Sequence, residues 1–250
     1  MPKKIGKIRE PTILVKKVLA KEYSDANIKN EKKAWHEWSV GESHRYTDIF
    51  SWVLSKKPIE HLLKINKKTP NVLFLGPAKG EYIVPFKEEL VYKGKNQKID
   101  VFGLFKETLS ENARKEINKD HSIETAFESL DPKNQIHRKL LLEMIGKYDL
   151  IMAPMSVTYQ TNYPAFALYQ SALMLSRNGK AYLEVRSLNS ASLTGHSNIE
   201  KQLPQLEKLF NKFISIYNKK NNLQNKYNFK ILGNIKTHPV GVFVEIERIN

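Results

Sequence analysis

The chain has 250 residues, a formal net charge of +15 and no cysteine. That length buries one sizeable core, and a 41% hydrophobic share with three Trp and eleven Tyr excludes a disordered chain. The missing cysteine excludes disulfides and thiolate metal sites, and no apolar run approaches the roughly 20 residues that span a bilayer. The basic start Met1-Pro-Lys-Lys-Ile-Gly-Lys7 lacks the apolar core of a signal peptide, so a cytoplasmic protein is expected. The charge points to an acidic partner such as RNA. It consists of 34 Lys against 7 Arg, however, and the same bias arises from AT-rich coding. The planar Arg fork that suits phosphate recognition is scarce.

Residues 1–68 read as an N-terminal extension, a basic leader followed by a helical cap. Trp35, Trp38, Ile49, Phe50, Trp52 and Val53 supply its apolar faces, and Pro58 opens a further helical turn. Lys67-Lys-Thr-Pro70 breaks the chain before the main domain, residues 69–250. From there strands and helices alternate. Strands are predicted at 71–75, 99–104, 122–127, 148–153, 180–186, 227–234 and 240–248. Helices are predicted at 81–91, 107–118, 135–146, 163–176 and 199–219, with Gly146 as a C-cap and Ser176-Arg-Asn-Gly179 as a turn. Alternation of this kind predicts an α/β fold, a parallel sheet with helices on both faces. The last two strands leave no room for a crossover helix at Lys236-Thr-His-Pro239, so they form an antiparallel hairpin.

The stretch Asn71-Val-Leu-Phe-Leu-Gly-Pro-Ala-Lys-Gly-Glu81 carries the strongest functional signal. A strand, a small-residue turn and a helix open a nucleotide-binding unit: glycine lets backbone approach a ligand, and a helix N-terminus offers free N–H groups. With Val101-Phe-Gly-Leu-Phe-Lys106, Tyr148-Asp-Leu-Ile-Met-Ala-Pro154 and Leu173-Met-Leu-Ser-Arg-Asn-Gly-Lys-Ala-Tyr-Leu-Glu184 in order behind it, the chain resembles the class I S-adenosylmethionine-dependent methyltransferases over about residues 70–250. The resemblance implies a Rossmann-like seven-stranded mixed sheet with an antiparallel C-terminal hairpin, and S-adenosylmethionine as cofactor. Three positions depart from the family pattern. Phe74 stands where the first strand carries an acid, Ala78 replaces the middle glycine, and Phe105 falls where a ribose-binding acid is usual, Glu107 being the nearest carboxylate.

On that resemblance Gly76, Pro77, Ala78 and Gly80 form the cofactor turn, and Lys79 faces the methionine carboxylate. Phe105 lies by the adenosine, Glu128 and Ser129 lie at the adenine, and Ala153 closes the fourth strand. Ser156, Tyr159 and Tyr163, in the loop after that strand, and Arg45 in the extension are candidate substrate contacts. A solvated lysine, an ordinary strand-to-helix turn and a packed helical cap remain the plain alternatives for Lys79, the glycine turn and Arg45. Asp149, inside a strand start, reads as structural. His36 and His44 lack a third ligand, so no metal site is expected; the remaining histidines, His61 among them, carry no pattern. No catalytic residue stands out, since orientation supplies much of the rate of methyl transfer to a competent nucleophile. RNA is the first acceptor expected, with a small molecule or a protein close behind. The alternative is an inactive methyltransferase-like module that binds RNA or a protein; a dinucleotide-dependent oxidoreductase fits less well.

Overall fold

A computed structural model describes residues 57–77, 80, 82–96, 99–103, 109–118, 122–124, 139, 142–153, 164–186, 205–234 and 241–250. The elements are α1 (Lys57–Lys64), β1 (Val72–Leu75), α2 (Ile83–Tyr92), β2 (Ile99–Gly103), α3 (Glu111–Glu116) and β3 (Ile123–Glu124). They continue with β4 (Tyr148–Ala153), α4 (Pro164–Met174), β5 (Leu175–Arg186), α5 (Leu206–Asn221), β6 (Tyr227–Asn234) and β7 (Gly241–Arg248).

The strands form one mixed sheet in the order β3-β2-β1-β4-β5-β7-β6. Six full strands carry it, and β3 adds only a two-residue pairing at one edge, Phe102 with Ile123 and Gly103 with Glu124. Strands β1 to β5 are parallel, whereas β7 runs antiparallel to both β5 and β6. The expected C-terminal hairpin is therefore present, with its second strand inserted inside the sheet.

Strand β1 shows why the sheet is covered on both faces. Its four residues are all buried. Side chains alternate along a strand, so Leu73 and Leu75 join one core while Val72 and Phe74 join the other. The first core lies under α4 and α5. Helix α5 presents Leu206, Phe210, Phe213, Ile214 and Tyr217, a stripe of helical period. The second core lies under α1, α2 and α3, with Ile59, Leu62, Tyr82, Ile83, Phe86, Leu90 and Ala113 facing inward.

Several boundaries differ from the sequence expectation. Ser176-Arg-Asn-Gly179, expected as a free turn, lies within β5 as a bulge: Tyr148 pairs with Leu175, but Leu150 pairs with Lys180. Asn178 absorbs the extra chain at φ +61°, a region that Asn tolerates better than most residues. Helix α5 continues to Asn221, past the expected end at 219, because Asn222 caps it at φ +53° with its N–H on the Asn218 carbonyl. Gly146 stands at φ +71° at the end of its helical turn and donates its N–H to the Leu173 carbonyl at 2.9 Å.

Candidate functional site

The sheet order reverses at β1. The chain steps outward from it through β2 to β3, then returns to β4 on its other side. In open α/β sheets ligands bind outside the carboxyl ends of the strands at such a switch point. Here Leu75 pairs with Phe102 and Phe74 with Met152, so the chain leaving β1 at Gly76, the end of β2 and Ala153 at the end of β4 share one edge. Ala153 is fully buried there, and Pro77, which follows Gly76, is buried as well.

The turn is built on glycine for two separate reasons. Gly76 and Gly80 adopt φ +56° and +65°, which favour glycine. A Cβ on Gly80 would also lie 2.4 Å from Leu109 Cδ2 and 3.0 Å from the Ala113 methyl. The turn is thus clamped against the chain entering α3. Ser110 starts that helix by accepting the Ala113 N–H at 3.3 Å, which holds Ala113 in place.

The described N–H groups of the turn are already used. Gly76 donates to the Phe102 carbonyl and Gly80 to the Pro77 carbonyl, both at 2.8 Å; Ile83 donates to Gly80 at 2.9 Å. Pro85, in the first turn of α2, has no N–H to offer. Among the described residues of the turn, Gly76 and Gly80 therefore have no N–H left over for a ligand. Gly76 and Gly80 fix the path of the backbone through their positive φ, and Gly80 also lets Leu109 and Ala113 pack against it. Phe74, where the family pattern has an acid, is fully buried against Tyr82 at 5.1 Å and Phe86 at 5.4 Å between ring centroids. It packs β1 against α2.

Of the residues singled out in the sequence, Gly76, Pro77, Gly80 and Ala153 lie at this edge. Ala78, Lys79, Phe105, Glu128, Ser129, Ser156, Tyr159, Tyr163 and Arg45 lie outside the described residues.

The opposite, amino edge carries two buried carboxylates, Asp149 and Asp100; a third, Glu184, lies at the carboxyl end of β5, next to Leu183, the partner of Ala153. The Asp149 carboxylate accepts hydrogen bonds from Lys67 Nζ at 2.7 Å, Ser176 Oγ at 2.6 Å and the Asn71 N–H at 2.9 Å. It fastens the start of β4 to β5 and to the chain entering β1, which is the structural role read for it. His61 donates from Nε2 to the Asp149 carbonyl at 3.0 Å; burial lowers its pKa, opposed by that hydrogen bond and helped by Lys180. Asp100 accepts from Lys147 at 2.7 Å, from the Tyr148 hydroxyl at 2.9 Å and from Asn118 at 3.2 Å. Burial, then the Asp100 charge, pushes the Tyr148 hydroxyl far above its ordinary pKa. Among the described residues no group of three His, Asp or Glu could hold a metal ion, and no helix is long and apolar enough to cross a membrane.

No protein-family model matches this sequence, and no curated protein matches it. Solved structures do resemble it. The plantazolicin methyltransferase BamL, in complex with a triazolic desmethylPZN analog and SAH, superposes with a TM-score of 0.50 at 11% identity, over 89% of this chain and 91% of that one. The 1,6-didemethyltoxoflavin-N1-methyltransferase of Burkholderia thailandensis, with bound S-adenosylhomocysteine, gives 0.45 at 11% identity over 90% of each chain. With strand order, antiparallel β7 and helices on both faces, the chain has the class I methyltransferase fold.

Proposed function

We propose that this protein is an S-adenosylmethionine-dependent methyltransferase that works in the cytoplasm on a small molecule. The observation that carries the reading is Gly80: a turn at the switch point, with positive φ and no room for a Cβ, between β1 and α2. Gly76, Pro77 and Gly80 would hold the amino-acid end of the cofactor, with Ala153 beside it at the end of β4. When bound, S-adenosylmethionine supplies a methyl group on a sulfonium, ready for displacement by a nucleophile. The chain's part is to fix geometry and keep water out. The buried ends of β1, β2 and β4 give it a rigid floor. We propose Ala78, Phe105, Glu128 and Ser129 as the remaining cofactor contacts. Ser156, Tyr159 and Arg45 are proposed to meet the acceptor, with residues 1–68 as a cap over it.

A small molecule is favoured over RNA because the positive charge is nearly all lysine, 34 Lys to 7 Arg. The similar BamL holds a triazolic desmethylPZN analog beside SAH.

Calorimetry of the full chain tests the cofactor. S-adenosylhomocysteine should bind and NAD should not; a folded protein that ignores millimolar S-adenosylhomocysteine is an inactive module instead. Methyl transfer from labelled S-adenosylmethionine into total RNA and into a small-molecule extract then decides the acceptor. Label in RNA, with affinity that falls steeply with salt, would replace the small-molecule reading.

A further inference from the structure

A cleft of about 700 Å³ opens at the amino edge of the sheet, lined by residues of α1 and the chain after it, β5 and β7. From Asp149 to Ala153 the strand β4 rises about 13 Å at 3.3 Å per residue, so the cleft lies away from the glycine turn. Its volume is in the range of small-molecule sites.

The charges in the cleft decide what fits. Lys64, Lys67, Arg177 and Lys180 face Glu60, Asp149, Glu245 and Glu247, beside His61, whose pKa burial lowers. A ligand with one charge would gain at one set of groups and lose at the other. Not all of these groups are available. The Asp149 carboxylate is already engaged by Lys67, Ser176 and Asn71. Lys180 lies 3.5 Å from both Glu245 and Glu247, so one ammonium is shared by two carboxylates and negative charge is left over. Burial, then Glu245, which accepts its hydrogen bond, then Glu247 and Glu60, raise the pKa of the Tyr182 hydroxyl, so Glu60 stands near the same two carboxylates. Arg177 and Lys64 form no ion pair with any described carboxylate. One uncompensated acidic region and two uncompensated cations therefore share one cleft.

The support for Arg177 is rigid. It projects from the β5 bulge, where Asn178 holds φ +61° and Gly179 has no room for a Cβ, with the Tyr148 carbonyl 2.6 Å from that position. Ser176, on the other side, is tied to Asp149. Bulges re-aim side chains beside binding sites, and a non-glycine residue in the left-handed region persists only where its surroundings enforce it.

We propose that this cleft is a second binding site, for a small zwitterion whose carboxylate meets Arg177 and Lys64 and whose ammonium meets Glu245 and Glu247. The guanidinium offers a two-pronged match to a carboxylate, and an ammonium offers three donors to the paired glutamates. Glu60, Lys64 and Arg177 are exposed to water, so the selectivity of the site rests on both charges acting together.

Nitrogen-15 NMR of the full chain tests this with glycylglycine, which carries one charge of each sign. Acetate and methylammonium chloride, at matched ionic strength, are the single-charge controls. Glycylglycine should shift the amide signals of residues 176–180 and 245–247, and should bind at least tenfold more tightly than either control. Arg177→Gln and Glu247→Gln should each weaken it at least fivefold while leaving the far-ultraviolet circular dichroism unchanged. No shift at those residues, or acetate or methylammonium binding as well as glycylglycine, would overturn the proposal. S-adenosylhomocysteine binding is measured separately, so failure at either edge leaves the other reading intact.

Discussion

The ring of Phe74 lies 5.1 Å from the ring of Tyr82, tilted by 55°, and this contact packs β1 against the residue that starts α2. Phe86 meets the same phenyl edge-on at 5.4 Å. Phe74 is fully buried, so Phe74→Ala removes a ring and leaves a cavity. It should cost about 3–5 kcal/mol, read as a lower urea midpoint with little change in slope. Phe74→Leu should cost clearly less, and Phe74→Glu should not give a folded protein.

Gly80→Ala forces an L residue to φ +65° and sets its Cβ against Leu109. The backbone strain is worth about 1–3 kcal/mol, and overpacking adds a similar amount. Leu109→Ala in the Gly80→Ala background should return part of the loss, because the 2.4 Å contact is relieved while the strained φ remains. A double-mutant cycle by urea unfolding measures the coupling. S-adenosylhomocysteine affinity should fall with Gly80→Ala in step with the displaced turn.

Asp149→Ala leaves the Asn71 N–H, the Ser176 hydroxyl and Lys67 without their acceptor. Asp149 is 2% exposed and Lys67 is 47% exposed, so the lysine regains water most readily, while the hydrogen bonds of Asn71 and Ser176 are partly buried. A loss of about 3 kcal/mol is expected. Asp149→Asn should recover more than Lys67→Ala removes, since an amide oxygen still accepts from Ser176 or Asn71. Thermal melts of the three variants rank them.

His61 makes stability depend on pH. Burial lowers its folded-state pKa below the ordinary 6.5, so in weak acid the unfolded chain binds a proton that the folded protein does not. Its contribution is complete above pH 6.5 and declines as pH falls from there toward the folded-state value. Urea midpoints at pH 7.5 and 5.5 should differ in that direction, and His61→Gln should remove that part of the difference. A midpoint that rises on acidification would contradict this placement of His61.

The fold was legible wherever local pattern and packing agreed. The apolar run at β1, the alternation of strands and helices, and the short Lys236–Pro239 connection fixed a sheet with an antiparallel close. The β5 bulge was not legible. Ser176-Arg-Asn-Gly179 has every mark of a free turn, and it becomes strand only because β4 offers it a partner and Asp149 holds Ser176. His61 was illegible for a related reason. Its carbonyl partner is 88 residues away, and no local spacing announces such a contact. At the glycine turn the sequence indicated the positions that need glycine. It could not show that the Gly76 and Gly80 N–H groups are spent within the fold, since Phe102, which accepts one of them, sits on a neighbouring strand.

The insertion of β7 between β5 and β6 has a consequence for the order of assembly. Of the strands in this sheet β7 emerges last during synthesis, yet it occupies an interior place. Until residues 241–248 are available, β5 presents an unpaired edge and β6 has no neighbour to pair with. The nascent domain must therefore wait for its final strand, and an elongating chain carries that open edge as a point of vulnerability to aggregation and to chaperone capture.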